Sequence, residues 1–201
     1  MLAREAGAPP RVDHQMQRLL GIALFGLLSL GANATASACE VSVPLKLDDV
    51  RYADQVVVGR ISHYRIVRDM QFRHKMLADP TLSADERKFY SGSAGLISDY
   101  ARFDIDVDEV LVGRAPHRMT VTWDASTFAE PDTMPAGPFL IALRTGLSTI
   151  PPLRGPSGTH LPNPDLARPT VLQAACSEAF IFESASDQAR KIRAILKLHR
   201  S

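Results

Sequence analysis

The pattern of apolar and polar positions predicts a small β domain. Five runs are rich in β-branched residues or alternate with period two, as strands do. The predicted strands span residues 55–67, 100–112, 119–123, 138–144 and 176–182. The second is the clearest, because Phe103, Ile105 and Val107 alternate with acidic residues. Five strands in one small domain favour a closed barrel, since closure removes exposed sheet edges.

Individual residues predict a bend and two helix starts. Gly59, inside the first strand, indicates a bulge or a sharp bend. Ser83 and Glu86 have the spacing of a capping box and predict that a short helix begins there. Near the end of the chain, Ser184 or Ser186 is the expected N-cap of a terminal helix. The apolar stripe of that helix consists of Ile192, Ile195 and Leu196.

The first 38 residues are expected to be a signal peptide. Residues 19–30 form an apolar run that is too short to span a bilayer, which takes about 20 residues, but is typical of a signal-peptide core. Small residues ending at Ala38 predict cleavage before Cys39, and Met16 would make a more ordinary start than Met1. Residues 39–201 then form a single exported domain, periplasmic or secreted. A lipoprotein site at Cys39 is the alternative.

Composition excludes several function classes. The chain carries 23 Lys plus Arg and 22 Asp plus Glu, a net charge of +1, which argues against a bulk nucleic-acid binder. Two cysteines exclude a multi-cysteine zinc module, and no cofactor or metal is expected. The Asp-x-Asp-x-Asp run 104–108 lacks the glycine and glutamate spacing of a calcium-binding loop, and period-two alternation predicts that it is a solvated strand face.

The two cysteines, Cys39 and Cys176, lie near the two ends of the predicted domain. In an exported protein such a pair predicts one disulfide, which would hold the N-terminal segment against the domain. A catalytic thiol is the alternative. That role would need a neighbouring histidine to lower the pKa of the thiol, and no residue close in sequence supplies one.

An enzyme, such as an exported hydrolase of unknown class, is the alternative to a binding module. Five histidines follow the predicted signal peptide, namely His63, His74, His117, His160 and His199. None forms a metalloprotease motif, and no Gly-x-Ser-x-Gly motif is present. Ser157, close to His160, is interpreted as part of a Pro/Gly-rich loop. The enzyme hypothesis would be favoured if the fold brought His63 and His74 together at an aspartate.

The order of several segments resembles the netrin-like module, in particular the N-terminal domain of the tissue inhibitors of metalloproteinases. The segments are Cys39, then 53–58 (ADQVVV), 103–107 (FDIDV), 112–113 (VG), 139–142 (FLIA), Cys176 with 180–181 (FI), and a final helix containing Gln188. They cover most of residues 39–199. The resemblance implies an OB-type five-stranded barrel with helices packed beside it.

The resemblance also implies a function. In those inhibitors the first mature cysteine chelates the zinc of the protease. The resemblance implies a partner-binding ridge formed here by Cys39, Glu40 and Val41, with the long segment 68–99 beside it. We therefore expect an exported, non-enzymatic interaction module with a protein partner, a metalloprotease being the candidate, and neither nucleic-acid binding nor stable membrane insertion. OB barrels bind through one face and its bordering loops, which directs attention to 68–99 and to the proline-rich segment 145–170.

Overall fold

Strands dominate the described part of the chain, which comprises residues 43–92, 95–96, 98–124, 131–154 and 163–198 of a computed structural model. The strands are β1 (Gln55–Val67), β2 (Tyr100–Val112), β3 (Arg118–Asp124), β4 (Phe139–Arg144), β5 (Thr170–Val171) and β6 (Ile181–Glu183). The α-helices are α1 (Met70–Leu77), α2 (Ala84–Ser91) and α3 (Asp187–Leu198), and a 3-10 helix spans Leu47–Tyr52.

Five of the strands form a closed ring. Its order is β1-β2-β3-β5-β4, and β4 pairs back with β1. The contact between β3 and β5 is parallel, and the other contacts in the ring are antiparallel. β6 pairs with β4 outside the ring. The structure therefore confirms the predicted five-stranded OB-type barrel with a C-terminal helix.

The strand that completes the ring differs from the predicted one. A fifth strand is expected at 176–182, but the ring closes through Thr170–Val171. Only the last two residues of the expected run are in a strand, β6, which lies outside the ring. The two residues of β5 are too few to produce a periodic signal. The start of the expected run is a turn instead, with Cys176 at φ 63°.

Two apolar layers explain why β1 and β4 lack simple alternation. One layer fills the barrel and includes Val57, Phe103, Ile105, Val121, Trp123 and Ile141. The other lies outside the barrel wall, where α3 and the 3-10 helix pack, and includes Val50, Val56, Val58, Leu140, Ala189 and Ile192. The first part of β1 and residues 139–143 of β4 are therefore buried on both sides. The outer side of the later part of β1 and of β2 and β3 is not covered by this layer.

Gly59 lies where β1 passes from its covered part to its uncovered part. The register with β2 shifts between Val58 and Gly59, as the predicted bulge requires. A Cβ at this position would come within 2.4 Å of the carbonyl oxygen of Asp106, so a side chain would force the two strands apart.

Cap residues explain the helix boundaries. The capping box predicted at Ser83 is present, with the Glu86 N–H donating to Ser83 Oγ at 3.3 Å and the Ser83 N–H donating to Glu86 Oε2 at 2.8 Å. Of the two serines expected at the terminal helix, Ser186 accepts from the Ala189 N–H at 3.2 Å. The helix α1 was not predicted. It is capped by Asp69, which accepts from the N–H of the third helical residue.

Candidate functional site

Residues 68–99, here called the insertion, connect β1 to β2 and contain α1 and α2. Arg73 donates two hydrogen bonds to Asp99, at 2.7 and 2.8 Å, and the two side chains are only 3% and 2% exposed. Asp99 also accepts from the backbone N–H groups of Asp69, at 2.8 Å, and Leu96, at 3.0 Å. One carboxylate therefore joins the start of the insertion, the first helix and the return to β2.

The electrostatics of this pair favour the charged forms of both side chains. Burial by itself would raise the pKa of Asp99, but the hydrogen bonds from Arg73 and from the two backbone N–H groups outweigh burial and hold that pKa below its usual value. The hydrogen bond to Asp99 likewise raises the pKa of Arg73. A buried, bidentate arginine–carboxylate pair has a fixed geometry, so it fixes α1 against the barrel.

The second helix is held to the first by backbone-directed contacts. Arg87, on α2, donates to the carbonyl oxygen of Leu77 at 3.2 Å and to that of Asp79 at 2.8 Å. These carbonyl groups lie at and just after the end of α1, where a helix leaves its last acceptors without partners. The two helices therefore form one structured unit.

The insertion exposes a group of large apolar side chains. Met70, Phe72 and Phe89 are 49%, 40% and 46% exposed, and Tyr90 is partly buried between the two phenylalanines. The ring of Tyr90 lies 5.2 Å from that of Phe89 and 6.2 Å from that of Phe72, centroid to centroid, in edge-to-face geometry. The three aromatic residues, Phe72, Phe89 and Tyr90, are called the insertion patch. Sequence reasoning missed the patch, because its members follow no helical period within a polar segment.

The uncovered outer side of β1, β2 and β3 is a second candidate surface, here called the open face. Cross-strand register arranges it in four rows. The first row, nearest Gly59, contains Arg60, Asp106 and Arg118, and the second contains Ser62, Asp104 and Thr120. The third contains Arg65, Arg102 and the buried Thr122, and the fourth, nearest the insertion, contains Val67, Tyr100 and the buried Asp124. The first three rows are polar, unlike the insertion patch.

Asp104 is the centre of a hydrogen-bond network on the open face. It accepts from Thr120 Oγ1 at 2.6 Å and from Arg118 Nη2 at 3.0 Å, and His63 Nδ1 lies 3.1 Å from its Oδ2. The hydrogen bond from Thr120, followed by that from Arg118, lowers the pKa of Asp104. His63 reaches this position from a bulge, with φ 54°, and its side chain is 72% exposed.

The arrangement expected of an enzyme is formed only in part. His63 contacts an aspartate, but His74 lies exposed on α1 and takes no part in the Asp104 network. The Thr120 hydroxyl donates to Asp104 rather than facing the histidine. Within the described ranges, no group of three His, Cys, Asp or Glu side chains is arranged to hold a metal ion. Ser157, His160 and His199 lie outside the described residues.

The N-terminal predictions fall outside the part of the chain that the structure describes. The signal peptide and the ridge residues Cys39, Glu40 and Val41 all lie there. Cys176 is described and is not a free thiol, while its pairing with Cys39 stays a prediction. The first described residue, Val43, donates its N–H to the carbonyl oxygen of Cys176 at 2.8 Å, so the N-terminal segment enters the domain beside that cysteine.

A cavity of about 160 Å³, lined by both polar and apolar residues, lies under the proline-rich segment. Its polar groups hold that segment in place. Arg144 donates to the carbonyl oxygens of Tyr52, at 3.2 Å, and Pro151, at 2.9 Å. Beside the cavity, Asp54 accepts from the Thr145 N–H at 2.8 Å. The polar groups around the cavity are therefore explained by their role in holding the proline-rich segment.

Comparison with known proteins adds no identification. No protein-family model matches the chain, and no curated protein is significantly similar to it. In the described ranges, no helix has both the length and the apolar composition needed to cross a bilayer. The insertion and the open face are therefore the candidate functional sites.

Proposed function

We propose that this chain is an exported, non-enzymatic interaction module that binds a protein partner through the insertion patch. The observation that carries the proposal is the exposure of Phe72 and Phe89, whose rings contact that of Tyr90, on helices that are fixed to the barrel by a buried ion pair. Exposed aromatic side chains that lie together are typical of protein-binding surfaces.

The fixed position of the patch strengthens this argument. Binding by a flexible segment costs conformational entropy, whereas a surface that is already ordered avoids most of that cost. The Arg73–Asp99 pair, the capping box at Ser83 and the Arg87 contacts all order the insertion without using the patch side chains. The insertion is therefore built to present these side chains rather than to bury them.

The resemblance to the netrin-like module supports a finer proposal. Under this finer proposal the chain inhibits a protease. The insertion contacts the protease together with the ridge, which consists of Cys39, Glu40 and Val41. The confirmed OB-type barrel is compatible with that resemblance. A disulfide between Cys39 and Cys176 belongs to the same proposal, because it would hold the ridge beside the barrel.

Site-specific photocrosslinking tests the module hypothesis. A photoreactive phenylalanine analogue at Phe89 should crosslink a single protein species in the native host. The same analogue at Lys191, exposed on α3, should not. At Leu147, which is 91% exposed in the proline-rich segment, a product would assign binding to that segment instead. Equal products at all three positions, or no product at Phe89, would contradict the proposal.

Inhibition of zinc endopeptidases tests the finer proposal. Protein that begins at Cys39 should slow one or more members of an endopeptidase panel, and one added alanine before Cys39 should remove that effect. Inhibition that is unchanged by the added residue, or absent across the panel, rejects the inhibitor mechanism and leaves the crosslinking result to decide whether the chain is a binding module.

A further inference from the structure

We infer that Arg65 and Arg102, on the open face, bind a carboxylate-rich segment of the protein partner. The inference rests on the proposed function and names the chemistry of the partner. Its basis is a difference between the four rows of the open face. Three of them contain an aspartate, whereas the third row contains two arginines and no acidic residue.

The two arginines lie directly opposite each other on antiparallel strands. Like charges in this position destabilise a sheet. The carboxylate of Asp104, in the adjacent row, is occupied by Thr120 and Arg118. Within the described residues, no side chain forms an ion pair or a hydrogen bond with Arg65 or Arg102. The pair thus has guanidinium donors available for a ligand.

The bulge in β1 produces this opposition. The register with β2 shifts between Ser62 and Arg65, so that Ser62 faces Asp104 while Arg65 faces Arg102. Regular pairing would place residue 64 opposite Arg102 instead. In the structure Tyr64 contacts the barrel layer and donates its hydroxyl to the carbonyl oxygen of Pro131 at 2.6 Å. The bulge therefore brings a second positive charge to the open face.

The position of the pair links it to the insertion patch. Arg65 lies near the end of β1, from which the insertion starts, and Arg102 lies near the start of β2, where the insertion ends. We therefore expect a partner bound at the patch to reach this pair. Arginine and aromatic residues are the types that contribute most to protein–protein affinity.

Carboxylates fit this site better than a nucleic-acid backbone does. A planar guanidinium binds a carboxylate through two parallel hydrogen bonds. A nucleic acid that ran along the face would meet Asp104 and Asp106 in the next two rows, and the whole chain has a net charge of only +1. The favoured ligand is a short acidic peptide segment that occupies one row.

Binding of a labelled octaglutamate peptide to the exported chain tests the inference. We expect fluorescence anisotropy at low salt to detect binding that the double variant Arg65→Gln and Arg102→Gln weakens by at least about tenfold, as the loss of charge-assisted hydrogen bonds predicts. The matched control is Arg114→Gln with Arg154→Gln. It removes the same charge from two exposed arginines elsewhere and should change affinity less than about twofold.

Three outcomes would overturn the inference. The first is no binding, or binding that the Arg65 and Arg102 substitutions leave unchanged. The second is equal weakening by the control variant, which would indicate general charge attraction. The third is a twelve-nucleotide thymidine strand that binds more tightly than the peptide with the same dependence on Arg65 and Arg102. Crosslinking at Phe89 is unaffected by any of these, so the proposed function is tested separately.

Discussion

Asp99 and Asp104 lie close together along the chain and both accept hydrogen bonds from an arginine, but their surroundings differ. Asp99 and Arg73 are buried, and two backbone N–H groups complete the site. Asp104 is partly exposed, and Arg118 and His63 beside it reach into solvent. The first network holds the insertion in place, whereas the second belongs to a surface that a partner can reach. Substitutions in the two networks should therefore have different consequences.

The largest effect is expected from Arg73→Met, which leaves the buried Asp99 carboxylate without its cation. Removing one partner of a buried ion pair lowers the free energy of unfolding by about 3–5 kcal/mol. Hydrogen exchange should show the loss in α1 and α2 first, with the barrel strands more protected. The double variant Arg73→Met with Asp99→Leu should recover part of the stability. Unchanged exchange in both helices after Arg73→Met would contradict the structural role of the pair.

A pH titration should separate the two aspartates further. Because the folded-state pKa of Asp99 is depressed, its stabilisation is complete above the unfolded-state value of about 3.9 and is lost as pH falls through the folded-state pKa. The insertion should therefore open under acid, below about pH 4. This acid-induced opening should persist in the variant Asp104→Asn and disappear in Asp99→Asn. Opening that disappears in Asp104→Asn and persists in Asp99→Asn would contradict the structural role of Asp99.

The smallest effect is expected from Asp104→Asn. Exposed ion pairs contribute about 0–1 kcal/mol, since solvent screens them and ordering the side chains costs entropy. The unfolding midpoint in urea should barely move, and exchange in α1 and α2 should match the unsubstituted protein. A loss as large as that of Arg73→Met would mean that the open face is part of the structural framework rather than a binding surface.

Local signals in the sequence were enough to predict four of the five barrel strands, the Ser83 capping box and the bulge at Gly59. Each of these is encoded within a few neighbouring residues, whereas the two-residue β5 leaves no such signal. The Arg73–Asp99 pair is different, because its members come together only when α1 packs against the start of β2. No periodicity marks such a contact in advance.

The functional surfaces were harder still to predict. The opposition of Arg65 and Arg102 depends on one extra residue in the pairing of β1 with β2, and a change of one residue in register reverses which side chains face outward. The insertion patch depends on how α1 and α2 pack, which brings Phe72 and Phe89 to either side of Tyr90. The resemblance directed attention to segment 68–99 but to none of these residues.

We propose above that the insertion is an ordered element whose exposed aromatic residues bind a protein partner. The most direct measurement compares the unsubstituted protein with the variant Phe72→Ser and Phe89→Ser, using affinity for the crosslinked partner and hydrogen exchange in α1 and α2. We expect binding to be lost while exchange in both helices stays the same. Full binding by the variant, with its helices still protected, would contradict the proposed role of the insertion patch.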